Sequence, residues 1–94
     1  MKTILNKDSR WLVVKTDYDR DRDIIIDVFN TSSVCVKEHY SPNLFKLTIY
    51  EINGNTRHEI IRVSSQNYDA YTIRTAITNA INTIRSSISN IIEF

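Results

Sequence analysis

The stretch NYDAYTIRTAITNAINTIRSSISNII, Asn67 to Ile92, decides the fold because it carries a helical period from one end to the other. Its apolar residues recur every third or fourth position and so share one face of a helix, whereas the residues of a half-buried strand would alternate. At about 1.5 Å per residue, this helix would be about 39 Å long. A domain of this size does not need such a length to cover its own sheet, and the excess indicates a second partner.

The composition is that of a globular chain with one core. The sequence has 94 residues, 41% hydrophobic and 24% charged, with a formal net charge of +1. These values predict one domain, 1–94, and the apolar runs are too short to cross a bilayer. With a near-neutral net charge, the chain also lacks the broad positive field that nucleic-acid binding usually needs. Because the first residues show no secretory signal, we expect a cytoplasmic protein without a membrane partner.

Short β-branched and aromatic runs before the helix predict strands. They are Trp11 to Thr16, Ile24 to Phe29, Val34 to Glu38, Leu44 to Ile52 and Arg57 to Ser64. We expect the third strand to pair antiparallel with the second, and residues 1–10 to form a loosely ordered lead-in. The predicted fold is a two-layer α+β domain in which an antiparallel meander sheet of about five strands, 11–64, packs on one face against one long C-terminal helix, 67–92. Two alternatives are loss of the first strand to the N-terminal arm and a short helix within residues 2–8.

The connection between the last two strands is the strongest local signal. An Asn53-Gly54 pair between two apolar runs is typical of a hairpin turn. The apolar side of the outgoing strand is matched on the return by Ile61 and Val63 only if the loop has an odd number of residues. We therefore predict a bulged three-residue turn. The opposite face of this hairpin then carries Lys46, Thr48, Tyr50, His58, Ile60 and Arg62.

This mixed polar and aromatic face is the candidate contact surface. Tyrosine and arginine are enriched in protein interfaces. Aromatic and basic side chains on a sheet also stack and hold single-stranded bases. The near-zero net charge favours a protein partner, with nucleic acid as the alternative. The predicted partner-binding residues are Lys46, Tyr50, His58 and Arg62 on the sheet, together with Arg74 and Arg85 on the outer face of the helix.

No cluster of residues predicts catalysis. The alternating run Asp17 to Asp23 is similar to the start of a calcium loop, but Arg22 stands where that loop needs glycine. Cys35, His39 and His58 are not expected to converge as a metal set or as a nucleophile and its base. The single glycine is used in the turn, which excludes phosphate-binding glycine loops. We therefore expect a protein that is not an enzyme, without catalytic residues, a metal site or a cofactor.

The isoleucines of the helix also have the spacing of a coiled-coil seam over two heptads. One interpretation is that they pack on the protein's own sheet, as in any amphipathic helix that covers a sheet. The other is that the far end of the helix also packs against a second copy of the chain. This homodimer would form through Ile77, Ile81, Ile84, Ile88 and Ile91.

Small size and the lack of chemical motifs favour a non-catalytic protein-binding module. The heavy use of isoleucine and asparagine suits an AT-rich genome, such as those of many low-GC bacteria and their phages. In kind, the chain resembles small phage-encoded inhibitors of bacterial defence or host nucleic-acid-processing enzymes, including the anti-CRISPR class. This resemblance implies action in the cytoplasm of a host cell.

The second half of the chain also resembles the PC4-like transcription coactivators. The stretch Ile61-Arg62-Val63-Ser64-Ser65-Gln66-Asn67-Tyr68 is similar in pattern to that family's strand, polar turn and aromatic helix start. The resemblance implies binding of single-stranded nucleic acid on a curved sheet. It also implies dimerisation partly through the helix.

Overall fold

The described part of the chain forms seven strands, one α-helix and one 3-10 turn. The computed structural model describes residues 2–6, 10–16, 23–39, 43–63, 68–86 and 89–93. The strands are β1 (Lys2–Asn6), β2 (Trp11–Lys15), β3 (Ile24–Asp27), β4 (Thr31–Glu38), β5 (Leu44–Glu51), β6 (Thr56–Arg62) and β7 (Ser89–Glu93). The 3-10 turn is Val28–Asn30 and the helix, α1, is Ala70–Ser86.

The strands form two sheets, with the orders β1-β7-β2-β3 and β4-β5-β6. The α+β class is confirmed, but the single five-stranded meander is wrong. The five predicted strands are divided, because β2 and β3 pair in the first sheet and β4, β5 and β6 in the second. The 3-10 turn Val28–Asn30 separates β3 from β4, and Asp27 caps it by accepting the Phe29 N–H at 3.2 Å. The chain thus passes from one sheet to the other where the sequence predicted a pairing of neighbours.

The helix is shorter than predicted. It spans 17 residues, Ala70–Ser86, or about 26 Å, in place of 67–92. At its start, Asp69 accepts the Thr72 N–H at 2.7 Å, as an N-cap does. At its far end, Ser89–Glu93 becomes β7, antiparallel to β1 and parallel to β2. The isoleucine period continues past Ser86, but the backbone there is paired with two other strands. The excess length that suggested a second partner is therefore absent.

Three of the five residues of the predicted coiled-coil seam face the core of the chain. Ile77, Ile81 and Ile84 are buried in the core of this chain, with exposed fractions of 0%, 5% and 1%. Ile91 belongs to β7, and Ile88 lies outside the described residues. The interpretation that the helix packs on the protein's own sheets is confirmed. Because these three residues are buried within one chain, they are not open to a second copy, and a dimer through Ile88 and Ile91 stays a prediction.

One hydrophobic core joins both sheets and the helix. The apolar pattern predicts that Trp11 and Val13 face this core, but β2 has the opposite phase. Leu12 and Val14 are fully buried, whereas Trp11 is 43% exposed and Val13 is half-buried. Residues 11–14 are all apolar, so alternation could not decide which side of this strand faces inward.

The N-terminal segment is tied to the other end of the chain. β1 pairs antiparallel with β7, and Ile4 lies opposite Ile91. The sequence predicted a loosely ordered lead-in here. Because the partner of β1 lies at the far end of the chain, the local sequence pattern did not indicate this pairing.

The predicted odd-numbered hairpin loop is confirmed. Glu51 and Asn55 are joined by the Glu51 N–H to Asn55 carbonyl bond at 2.9 Å, which leaves residues 52–54 as the loop. Gly54 has φ 93°, and among the described residues no other type has a positive φ. A three-residue loop that ends in a left-handed glycine keeps the strand register that the apolar pattern requires. Ile61 accordingly lies opposite Phe45.

Candidate functional site

The outer face of β4-β5-β6, which we call the open face, carries the four sheet residues predicted from sequence. Their backbone register alternates with the buried positions of the same strands, so these side chains point away from the core. All four are exposed, and they are Lys46, Tyr50, His58 and Arg62. His58 Nδ1 lies 3.0 Å from the Thr48 hydroxyl. The structure therefore brings the sheet part of the predicted site together on one surface.

The charged residues of the open face are all basic. Lys37 of β4 lies directly opposite Lys46 of β5, and Arg62 is two residues beyond the β6 partner of Lys46. The carboxylates of these strands occupy the alternate positions, which point to the other side of the sheet. They are Glu38, Glu51 and Glu59.

The two predicted helix arginines lie apart from this face. Arg74 Nε donates to the Val34 carbonyl at 3.3 Å. Arg85 Nε donates to the Val28 carbonyl at 2.9 Å, and its Nη2 donates to the Thr31 carbonyl. β4 is an edge strand, so one side of it has no neighbouring strand. The two arginines donate to the carbonyls of Thr31 and Val34 in this strand and of Val28 in the turn before it. Arg74 thus connects the helix to β4, and Arg85 connects it to the turn and to β4. Their contact with a partner stays a prediction.

A second surface, which the sequence analysis missed, lies where the two sheets meet. β3 and β6 are edge strands of different sheets, and Arg57 Nη2 crosses between them to the Ile25 carbonyl at 2.6 Å. Beside this bond is a cleft of about 220 Å³, which we call the junction cleft. Its lining residues are Trp11, Ile25, Asp27, Asn30, Thr31, Ile49, Glu51 and Arg57.

The polar groups of the junction cleft are largely paired with one another. Asp27 Oδ2 accepts two bonds from Arg10, at 2.7 Å from Nη2 and 3.1 Å from Nε. The hydrogen bond from Arg10 is the main reason why the pKa of Asp27 lies below its ordinary value. Glu51 accepts from the Asn30 amide at 2.7 Å. These charges therefore have partners within the chain before any other molecule binds.

Large apolar side chains are exposed around this cleft. Trp11 and Ile25 line it and are 43% and 47% exposed. Phe29 and Ile52, at 55% and 62% exposed, each adjoin a lining residue in the chain, and the Ile52 N–H donates to the Asn30 carbonyl at 2.8 Å. We call the cleft with these four side chains the junction surface. Six large apolar side chains are exposed in the described residues, and four of them either line the cleft or adjoin a lining residue in the chain.

Sequence alone could not identify the junction surface. Trp11 and Ile25 stand in apolar runs that are typical of buried strands. Their exposure depends on which face of the first sheet the helix covers. Arg57 and Asp27 come close only because two separate sheets meet. Ile52 was predicted as the last residue of a strand, and only the structure places it in the hairpin loop.

The chemistry of the described residues is limited. No three His, Cys, Asp or Glu side chains in the described ranges come together in a way that would hold a metal ion. The alternating run Asp17 to Asp23 lies outside the described residues except for Asp23. Cys35 is half-buried on β4. Across those same ranges, no helix has both the length and the apolar character to span a membrane.

Comparisons with protein-family models, with curated proteins and with solved structures give no significant match. The chain order also differs from the PC4-like pattern of strands followed by a helix. Here α1 follows strands of two sheets, and β7 comes after it.

Proposed function

We propose that this protein is a non-catalytic protein-binding module that contacts its partner through the junction surface. One observation carries the proposal: of six large apolar side chains exposed in the described residues, two line a single cleft and two more adjoin its lining residues in the chain. Exposed apolar patches with a polar rim mark interaction sites. Tryptophan and arginine are enriched among binding hot spots. Here the Arg10 guanidinium carbon lies over the Trp11 ring, 5.3 Å from the ring centroid.

The pairing of charges favours a protein over a polyanion at this surface. Asp27 and Glu51 are already bonded to Arg10 and Asn30, so covering them does not leave a lone charge without water. Burying an unpaired charge is costly, whereas a charge that keeps its hydrogen bonds is covered at a lower cost. A nucleic-acid backbone would instead meet these two carboxylates beside Arg10 and Arg57, which already donate to groups of this chain.

The concrete form of the proposal is a small phage-type inhibitor of a bacterial defence or host nucleic-acid-processing enzyme. Such a protein would act in the host cytoplasm by covering a surface of that enzyme. Support comes from the small single domain, from the isoleucine and asparagine bias and from the junction surface. An anti-CRISPR activity is the narrowest version.

Phage plating tests the inhibitor proposal. The protein is expressed in bacterial hosts that each carry one defence system, CRISPR systems included, and phage plating is measured on each. We expect plating to rise on at least one host and to stay unchanged on hosts without a defence system. If plating rises on none of them, inhibition of bacterial defence is wrong.

Variants then test the surface. Trp11→Ala and Ile52→Ser should each reduce the effect on plating at least tenfold, because hot-spot truncations cost about 2 kcal/mol or more. Tyr71→Ser is the matched control, since Tyr71 is 72% exposed on the helix and does not line the junction cleft. If Tyr71→Ser has the same effect as the junction variants, the junction surface is not the binding site. Melting curves of the three variants check that each one folds.

A further inference from the structure

We propose that the open face of β4-β5-β6 binds the sugar-phosphate backbone of single-stranded nucleic acid, as a second activity separate from protein binding. β5 carries both surfaces on opposite sides. Tyr50 points to the open face, whereas its neighbours Ile49 and Glu51 line the junction cleft. One strand can therefore take part in two contacts that do not overlap.

The charge arrangement of the open face points to an anionic ligand. Lys37 and Lys46 are cross-strand partners, and like charges in this position destabilise a sheet. Sheet stability thus gives no reason for them. Arg62 lies on the same face near Lys46, and every carboxylate of these three strands occupies an inward register position. A polyanion would be attracted by this local field even though the whole chain is nearly neutral.

Aromatic exposure favours a single strand over an acidic protein. Tyr50 is 43% exposed and shares the face with the His58 ring. Bases stack on such rings without sequence preference, while cations hold the backbone. From Lys46 to Tyr50 the strand rises about 13 Å, at about 3.3 Å per residue. The basic end and the aromatic end of the face are therefore separated by enough length for a few nucleotides.

Fluorescence anisotropy tests this proposal with a labelled oligothymidylate of about 12 nucleotides at low salt. Three basic side chains that each neutralise one phosphate predict a slope of about −2 for log affinity against log salt concentration. Lys46→Glu and Arg62→Glu should each weaken binding about tenfold or more. Tyr50→Ala should weaken binding and leave the salt slope unchanged, because stacking releases no counterions.

Two control variants distinguish binding at the open face from an effect of net charge and from binding at the junction surface. Lys15→Glu changes the net charge by the same amount at an exposed position on β2 of the other sheet, and it should retain at least half of the affinity. Trp11→Ala should also bind the oligonucleotide normally, so failure of one proposal leaves the other testable. Equal loss in Lys15→Glu and Lys46→Glu would overturn the inference. So would tight binding of polyglutamate by a protein that ignores the oligonucleotide, since an acidic protein surface would then be the ligand.

Discussion

Arg57 on β6 and Ile25 on β3 are joined by a hydrogen bond from the guanidinium Nη2 to the backbone carbonyl, at 2.6 Å. The two residues belong to different sheets, and both line the junction cleft. The bond therefore helps to set the width of the proposed protein-binding surface. Arg57 Nε is buried and has no hydrogen-bond partner, so the guanidinium leaves one buried donor unsatisfied.

Replacing Arg57 tests how much this bond contributes. Arg57→Met should lower the free energy of unfolding by about 1 kcal/mol, because the lost charged hydrogen bond, worth about 1.5–3 kcal/mol, is partly offset by removal of the unsatisfied Nε. Urea denaturation measures the change. Arg57→Lys is the control that keeps a cationic donor, and its loss should be smaller. An unchanged denaturation midpoint in Arg57→Met would show that the bond does not hold the sheets together.

Asp27 should make stability depend on pH in a defined direction. Its pKa is lowered mainly by the Arg10 hydrogen bond and lies below the ordinary value of 3.8. The folded state thus binds its proton less readily than the unfolded state. The stabilisation is fully present above pH 3.8 and is lost as the pH falls through the lower, folded-state pKa.

Asp27→Asn isolates this charge effect, because asparagine can still accept the Phe29 N–H as a cap. The variant should be less stable than the wild type at pH 7, and the difference should shrink as the pH falls below 3.8. Urea denaturation at a series of pH values provides the measurement. A difference that stays constant across this range would contradict the role of the Arg10 contact.

Arg85 should matter more for stability than Arg74. Arg85 donates to the carbonyls of Val28 and Thr31, which places the end of the helix against the 3-10 turn. Arg74 makes one longer bond, at 3.3 Å. We expect Arg85→Met to cost about 2 kcal/mol and Arg74→Met about half of that. Thermal unfolding compares the two variants. Equal small effects would show that Arg85 does not stabilise the fold more than Arg74 does.

Ile81→Ala tests the position of the helix. Ile81 is 5% exposed in the core, and truncating a buried isoleucine to alanine costs about 2–5 kcal/mol. Because the contact lies within one chain, this loss should not depend on protein concentration. A melting temperature that rises with concentration in the wild type, and no longer does so in the variant, would restore a dimer interface.

The sequence determined the features that depend on near neighbours in the chain. Ile73 and Ile77 face the core because a helix brings residues four apart to one side. Ile61 lies opposite Phe45 because an odd loop before the return strand preserves the apolar face. Lys46 and Tyr50 share the open face for the same reason of alternation. These outcomes need only local geometry.

The tertiary structure decided the rest, because strand pairing joins residues that are distant in the chain. β7 exists where a helical period continues, since residues 89–93 pair with β1 and β2. The phase of β2 was open until the helix covered the side of Leu12, which left Trp11 exposed. The junction surface lies where the edges of the two sheets meet, and no local sequence pattern predicts which edges come together.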